Sequence, residues 1–258
     1  MNAAQLTPRF IRAQEEAAKL AIHKPVSRPT RIQNFPTALA VFARAPVPGK
    51  AKTRLISVLG ARRAAAFHAA LLSDTLRKAA KLEGNVSRYL FIAGGAPDAA
   101  LAPDGYELQP QQGRDLGRRM ERAFELLLRK HSRVVIIGAD SPMLSPALLR
   151  LAFEELHSVD AVLGPCPDGG YYLIGLRRTA QRLLHGVRLG GEFAFQDTLD
   201  RLLAQGFSCA ILESCGDVDR PQELLELKKR LVRRPALRRE LPATWKFLCS
   251  LTVCSKTI

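Results

Sequence analysis

In Arg133-Val-Val-Ile-Ile-Gly-Ala-Asp140-Ser-Pro142 a β-prone apolar run leads through a glycine and an alanine into one carboxylate, and a proline then ends the ladder. This places Asp140 at the carboxyl end of a central strand, the edge at which open α/β sheets bind ligands. An unpaired charge at such an edge is costly, so a carboxylate there ordinarily holds a divalent cation or a sugar hydroxyl. The plainer role, a helix cap, is weakened by Ser145-Pro146, which already supplies an N-cap and a first-turn proline for a helix starting near Ala147.

A complementary set of cations lies in Phe42-Ala-Arg-Ala-Pro-Val-Pro-Gly-Lys-Ala-Lys-Thr-Arg54, directly after an apolar run. Gly49 permits close backbone approach there, while Arg44, Lys50, Lys52 and Arg54 suit a di- or triphosphate. The loop is neither a Walker loop nor a dinucleotide fingerprint, because both glycine patterns are absent. Further along, Gln112-Gly113-Arg-Asp115-Leu-Gly flanks an acid with glycines at a helix entrance, where backbone N–H groups can face a ligand. For Asp115 alone, N-capping explains the residue equally well.

Two more segments carry acids. In Gly164-Pro-Cys-Pro-Asp168-Gly169-Gly170-Tyr171 a carboxylate and two glycines separate strand-like runs, which reads as a tight turn carrying backbone close to a partner. A plain Asp-Gly hairpin is the ordinary alternative. Cys166 has no histidine nearby in sequence and reads as a small filler. In Gly216-Asp217-Val-Asp219-Arg-Pro221, Asp219 is placed to cap the helix that follows, which leaves Asp217 to complete a metal shell with Asp140. The scattered histidines, among them His68 and His131, read as surface or packing residues.

The elements that must position these groups follow from periodicity. Apolar β-prone runs recur at residues 38–43, 89–93, 134–138, 161–164, 171–176 and 207–212. Ala65, Ala69, Leu72, Leu76 and Ala79 mark one helix face, and Leu116, Met120, Ala123 and Leu127 another. Alternating strands and helices imply an α/β domain with a largely parallel sheet covered on both faces. Of the formal charge of +15, residues 1–35 contribute +4 and residues 228–258 contribute +8. The basic balance therefore sits on the ends, unlike the basic folded face of a nucleic-acid-binding domain. The expected organisation is a basic N-terminal extension over 1–35, one domain over 36–231 and a basic C-terminal tail over 232–258. Five cysteines without a Cys-x-x-Cys pair, no secretory h-region and no run long enough to span a membrane imply a cytoplasmic protein.

Taken in order, Ala-Pro-Val-Pro-Gly-Lys-Ala-Lys-Thr-Arg-Leu, Gln-Gly-x-Asp-Leu-Gly-x-x-Met, Gly-Ala-Asp-Ser-Pro, Gly-Pro-x-x-Asp-Gly-Gly-Tyr-Tyr-Leu-Ile-Gly-Leu and Asp-Val-Asp-x-Pro resemble one bacterial family of the GT-A superfamily. Its members are glycosyltransferase-like proteins described as a domain of unknown function or as the glycosyltransferase of arsenosugar biosynthesis. The likeness spans residues 38–227. It implies a single-domain nucleotide-diphosphosugar transferase fold with a mixed, mostly parallel sheet, the nucleotide over the first-strand loop and a divalent cation at Asp140. It further implies a phosphate role for Lys50, Lys52 and Arg54, an acceptor-side loop over 168–171, and a C-terminal acidic motif at Asp217 and Asp219. The chain departs from the family pattern in having Arg220 where members have Thr, and in lacking a Trp in the segment aligned with residues 189–192.

The leading expectation is a glycosyltransferase: Mg²⁺ or Mn²⁺ on Asp140 and Asp217, a nucleotide-diphosphosugar donor, a small-molecule acceptor, and Asp168 or Glu192 as base. The second is a nucleotidyltransferase joining a nucleoside triphosphate to a sugar phosphate or phospho-acid, since the Ala-Lys-x-Arg-Leu run is also similar to the guanylyltransferases that activate phospholactate. The single glycine in residues 45–50 favours the first over the second. A non-enzymatic binding module is the third, and it requires Asp140 to be dispensable.

Overall fold

Strand β1 (Thr37–Arg44) is buried on both faces, and its side chains divide by parity. Ala38, Ala40 and Phe42 enter one core cluster, whereas Leu39, Val41 and Ala43 enter another. A strand so placed must be apolar almost throughout, which is why the run is continuous instead of alternating. The computed structural model describes residues 36–94 and 101–253. The N-terminal extension expected over 1–35 lies outside the described residues.

The remaining strands are β2 (Val86–Ala93), β3 (Tyr106–Pro110), β4 (Arg133–Gly138), β5 (Ala161–Pro165), β6 (Tyr171–Leu176) and β7 (Cys209–Ile211), in the order β3-β2-β1-β4-β6-β5-β7. β3, β2, β1 and β4 run parallel, β6 is antiparallel to both β4 and β5, and β7 is parallel to β5. This is the expected mixed, mostly parallel sheet. β3 escapes the apolar periodicity because it is a half-exposed edge strand of sequence Tyr-Glu-Leu-Gln-Pro.

Helices cover both faces. Helix α1 (Ile56–Leu59) leads into the long α2 (Ala61–Ala79), followed by α3 (Leu116–Leu127), α4 (Pro146–Glu155), α5 (Ala194–Ala204), α6 (Pro221–Arg233), α7 (Pro235–Glu240) and α8 (Pro242–Val253). Leu72 and Leu76 of α2 pack with Leu149 and Ala152 of α4 on one face, while Met120 and Phe124 of α3 pack with Phe195 and Leu199 of α5 on the other. Ser145 accepts a hydrogen bond from the Leu148 N–H at 3.1 Å, and Pro146 opens α4 as the sequence implies. Chain order reverses between β1 and β4, and the loops after both strands open at the same sheet edge.

The expectation of a separate C-terminal tail is corrected. Leu231, Leu241 and Leu248 are buried in a third apolar cluster with Leu55, Phe67 and Leu71, and Phe67 packs against Phe247 at 5.4 Å between ring centroids. Arginine-rich sequence disguised this segment, because the Arg side chains face outward and lie over apolar surface: the Arg238 guanidinium rests 4.6 Å from the Trp245 ring. The anchor is Asp74 of α2, 1% exposed, whose carboxylate accepts from the N–H groups of Ala243 (3.1 Å) and Thr244 (2.8 Å) at the start of α8. A buried carboxylate serving two otherwise orphaned helix donors is a long-range N-cap. Among the described residues, no helix is long and apolar enough to cross a membrane.

Replacing Asp74 by Ala leaves both donors unsatisfied and is expected to destabilise the domain by about 1–3 kcal/mol. Hydrogen exchange should show protection lost first in α8. Unchanged protection there would mean that α8 is held by its apolar face alone.

Candidate active site

Four loops meet at the sheet edge just described: residues 45–52 after β1, 139–145 after β4, the 166–170 turn between β5 and β6, and 212–219 after β7. They enclose an open cavity of about 700 Å³ whose lining includes Lys50, Arg54, Arg119, Asp140, Asp168 and Asp217.

At its base, the Lys52 ammonium lies 2.7 Å from Asp140 Oδ1 and 2.7 Å from Asp219 Oδ1. Its side chain is 2% exposed, and its backbone holds the left-handed conformation (φ 49°), unusual for a residue with a Cβ. Burial alone pushes the Lys52 amine down, but the Asp140 and Asp219 carboxylates reverse this and leave it above the usual lysine value. Burial also works against ionisation of Asp140. The Lys52 charge, and after it the approach of His68, hold that carboxyl well below the usual range. Arg54 reaches the other oxygen of Asp219 at 3.4 Å.

His68 projects from the buried face of α2. Its Nε2 lies 3.0 Å from the Arg44 carbonyl, so Nε2 carries a proton, because a carbonyl can only accept. Nδ1 faces Asp140 Oδ1 at 3.5 Å. Reading His68 as a packing residue was therefore incomplete: it is buried, and it also connects the end of β1 to Asp140. Its signal was a lone polar residue four positions from both Ala64 and Leu72 on an apolar stripe. Lys78, nearly three turns on, donates to the Pro142 and Leu144 carbonyls at 2.7 Å each and thereby fixes the loop that follows Asp140. Burial lowers its amine to about 8.

The acidic motif after β7 is arranged differently from the sequence expectation. Helix α6 is capped by Glu223, whose Oε2 accepts from the N–H groups of Asp219 and Arg220 at 2.7 Å. The capping role assigned to Asp219 is corrected: with the cap supplied, its carboxylate turns to Lys52. Asp140 instead receives the 217–219 segment through its backbone, its carbonyl accepting from the Val218 N–H at 2.9 Å. Burial, and then the negative charges of Asp168, Asp219 and Glu223, push the Asp217 carboxyl up to about 6. The two acids expected to share a metal are thus differently engaged: Asp140 meets an ammonium, and Asp217 lies in the field of Asp168. Asp140 Oδ1 is taken up by the Lys52 ammonium at 2.7 Å, the position that a divalent ion on this oxygen and Asp219 would need.

The other expected site residues divide in the same way. Lys50 and Arg54 line the cavity, and so does Arg44, but Lys52 is an internal counter-ion and not a free phosphate ligand. Gly49 is required by a turn (φ 80°), since a Cβ there would meet nothing within 4 Å. Asp115 is an N-cap, accepting from Arg118 N–H at 2.8 Å, with its side chain at the cavity wall. Gln112 is exposed; its neighbour Gln111, overlooked in sequence, bridges strand ends by donating to the Ala43 and Phe91 carbonyls at 3.0 Å. Gly113 (φ 149°) is packed so tightly that a Cβ would stand 2.8 Å from the Arg119 backbone nitrogen.

The 166–170 segment is a hairpin turn, as the ordinary alternative had it, with Asp168 accepting from the Gly170 N–H at 3.0 Å. Its glycines also meet a partner. A Cβ on Gly169 would lie 1.9 Å from the Glu192 carbonyl oxygen, and the Gly169 carbonyl accepts from Phe195 N–H at 2.9 Å. Glu192 therefore supports the hairpin through its backbone while its side chain points to solvent, which corrects its assignment as a base. Tyr171 and Cys166 line the cavity, and burial raises both the phenol and the thiol, leaving Cys166 without thiolate character.

Because Asp217 is raised in the folded state, the folded chain binds more protons than the unfolded one between pH 4 and 6, and stability falls as pH rises through that window. In EDTA, Asp217→Asn should stabilise the protein at pH 7.5 by about 1–2 kcal/mol. The gain should shrink toward zero as pH falls below 4, as followed by thermal melts. A pH-independent loss of stability would contradict this placement of Asp217.

Comparison with known proteins agrees with this fold. Residues 75–191 match the family described as "Uncharacterized protein conserved in bacteria (DUF2064)". The chain is similar to 2-phospho-L-lactate guanylyltransferase of Methanothermobacter thermautotrophicus, 25% identical over 166 residues, covering 64% of this chain and 71% of that protein. A crystal structure from Desulfovibrio desulfuricans G20, provisionally described as a nucleotide-diphospho-sugar transferase, superposes with a TM-score of 0.76 at 30% identity, over 84% of this chain and 95% of that one. The 4-diphosphocytidyl-2C-methyl-D-erythritol synthase of Anaerococcus prevotii shares the fold alone, with a TM-score of 0.51 at 12% identity over 79% of this chain and 98% of the other. By motif, by sheet order and by these likenesses, the chain belongs to the bacterial DUF2064 family and has the nucleotide-diphosphosugar transferase fold.

Proposed function

We propose that this chain is a nucleotidyltransferase that joins a nucleoside triphosphate to a small acceptor bearing a phosphate group. One observation carries the reading. Asp140 and Asp219 at the cavity base are engaged internally by Lys52 and Arg54, whereas Arg44, Lys50 and Arg119 line the cavity with no carboxylate in ion-pair range among the described residues. A site with that balance attracts anions on more than one wall. The likeness to a guanylyltransferase over most of that enzyme's length supports the same direction.

The chemistry follows from the layout. Lys50 and Arg44 take the β- and γ-phosphates above the β1 loop, and Arg119 receives the acceptor's phosphate from the α3 side. An acceptor phosphate oxygen attacks the α-phosphorus, the bond from that phosphorus to the bridging oxygen breaks, and pyrophosphate leaves with the electron pair. The nucleophile is already ionised, so no base is needed. The residues contribute alignment and fixed positive charge, which is most of what phosphoryl chemistry asks of a protein. Pyrophosphate, carrying the new charge, departs against Lys50.

A second reading, sugar transfer from a nucleotide-diphosphosugar, is favoured by Asp217. A carboxyl pushed up to about 6 suits a base for an acceptor hydroxyl, a group that does need deprotonation. The likeness to the Desulfovibrio protein points the same way.

The two separate by product. With Mg²⁺, nucleoside triphosphates and a panel of phospho-acids and sugar phosphates, the leading reading predicts pyrophosphate release. Lys50→Ala should lower kcat/KM by roughly 10- to 100-fold. Nucleoside diphosphate released from a nucleotide sugar, without pyrophosphate from any triphosphate, would replace it by the second reading. Release of neither product would overturn both.

A further inference from the structure

The carboxylate pair at the cavity base already has its cation. Lys52 Nζ stands 2.7 Å from one oxygen of Asp140 and 2.7 Å from one of Asp219, where two oxygen ligands from separate loops would converge on a metal. We infer that Lys52 is the resident cation of this pair, an ammonium serving in place of a divalent metal, and that the pair takes a divalent ion only when Lys52 is removed.

Three observations support this. The ammonium is 2% exposed although both its carboxylate partners open onto the cavity, unlike a surface lysine resting on an acid. The two facing oxygens are already engaged by fixed positive charge: Lys52 lies between both acids, and Arg54 adds a second contact to Asp219. Finally, the backbone at Lys52 is kept in the left-handed region although glycine would be cheaper, and such strain persists only where surrounding contacts impose it. An ammonium and a hard divalent ion choose the same partners but differ in supply. The lysine joins the β1 loop to the loops after β4 and β7 whether or not metal or nucleotide is bound. The inference is independent of which group the enzyme transfers.

Glycine suits the conformation at position 52, so Lys52→Gly deletes the ammonium without adding backbone strain. The probe is Mn²⁺ alone, without nucleotide, with free ion followed by electron paramagnetic resonance on the full-length protein. Wild type should give an Mn²⁺ affinity that Asp140→Asn leaves unchanged. Lys52→Gly should tighten it on the order of tenfold, and the gain should vanish in the Lys52→Gly/Asp140→Asn double variant. A folded Lys52→Gly protein with no gain would overturn the inference, as would wild-type binding that Asp140→Asn abolishes. Should Lys52→Gly fail to fold by circular dichroism, the comparison of wild type with Asp140→Asn decides alone, since a metal held by Asp140 must be lost in that variant.

Discussion

One buried ammonium, Lys52 between Asp140 and Asp219, is the constraint from which the arrangement of the site follows. It joins the loop after β1 to the loop after β4 and to the chain returning from β7, three segments far apart in sequence. Lys52 is buried while both carboxylates stay partly exposed, and a charge so buried must be paired, which fixes the geometry around it. Here the geometry specified is the floor of the cavity. With Asp140 and Asp219 so engaged, the remaining cations, Lys50, Arg44 and Arg119, are left to act on a ligand.

Helix α2 supports the floor from behind, with one residue for each task. His68 meets the Arg44 carbonyl and faces Asp140, Lys78 holds the carbonyls of the loop after Asp140, and Asp74 caps α8. These groups lie along one long helix, His68 toward the sheet-edge site and Asp74 toward α8, so the site and the C-terminal helices share a rigid element. A displacement of α2 would move the Asp140 loop and α8 together. This explains why an arginine-rich C-terminal segment is folded: its Leu241 and Leu248 complete the apolar cover of a helix whose other side is committed to the sheet.

Much of the fold was legible because burial leaves periodic marks. Six of the seven strands, the faces of α2 and α3 and the start of α4 follow from apolar spacing and a Ser-Pro cap, and the ordered motifs identified the family. The exceptions are physical. β3 is a polar edge strand, and α7 and α8 hide apolar residues among arginines. In the site, residue types were easier to read than partners. Asp140 was recognisable at a strand end, but nothing local distinguishes a lysine that binds phosphate from one that neutralises two acids, because Asp219 lies 167 residues from Lys52. Likewise, Asp219 turned inward because Glu223 supplied the cap, a competition visible only in three dimensions. Gly169 was rightly suspected of close approach, yet its neighbour was the backbone of Glu192 and not a ligand.

The account rests on the cavity being a nucleotide phosphate site with Lys50 and Arg44 among its free cations. The most direct test is equilibrium binding of nucleoside di- and triphosphates, followed by thermal shift in wild type, Lys50→Ala and Arg44→Ala. A nucleotide at a hundred times its dissociation constant should stabilise wild type by about 2.7 kcal/mol, and either variant should lose most of that gain while melting normally without ligand. Stabilisation by nucleotide that survives both substitutions, or no stabilisation of wild type by any nucleotide, would contradict the account.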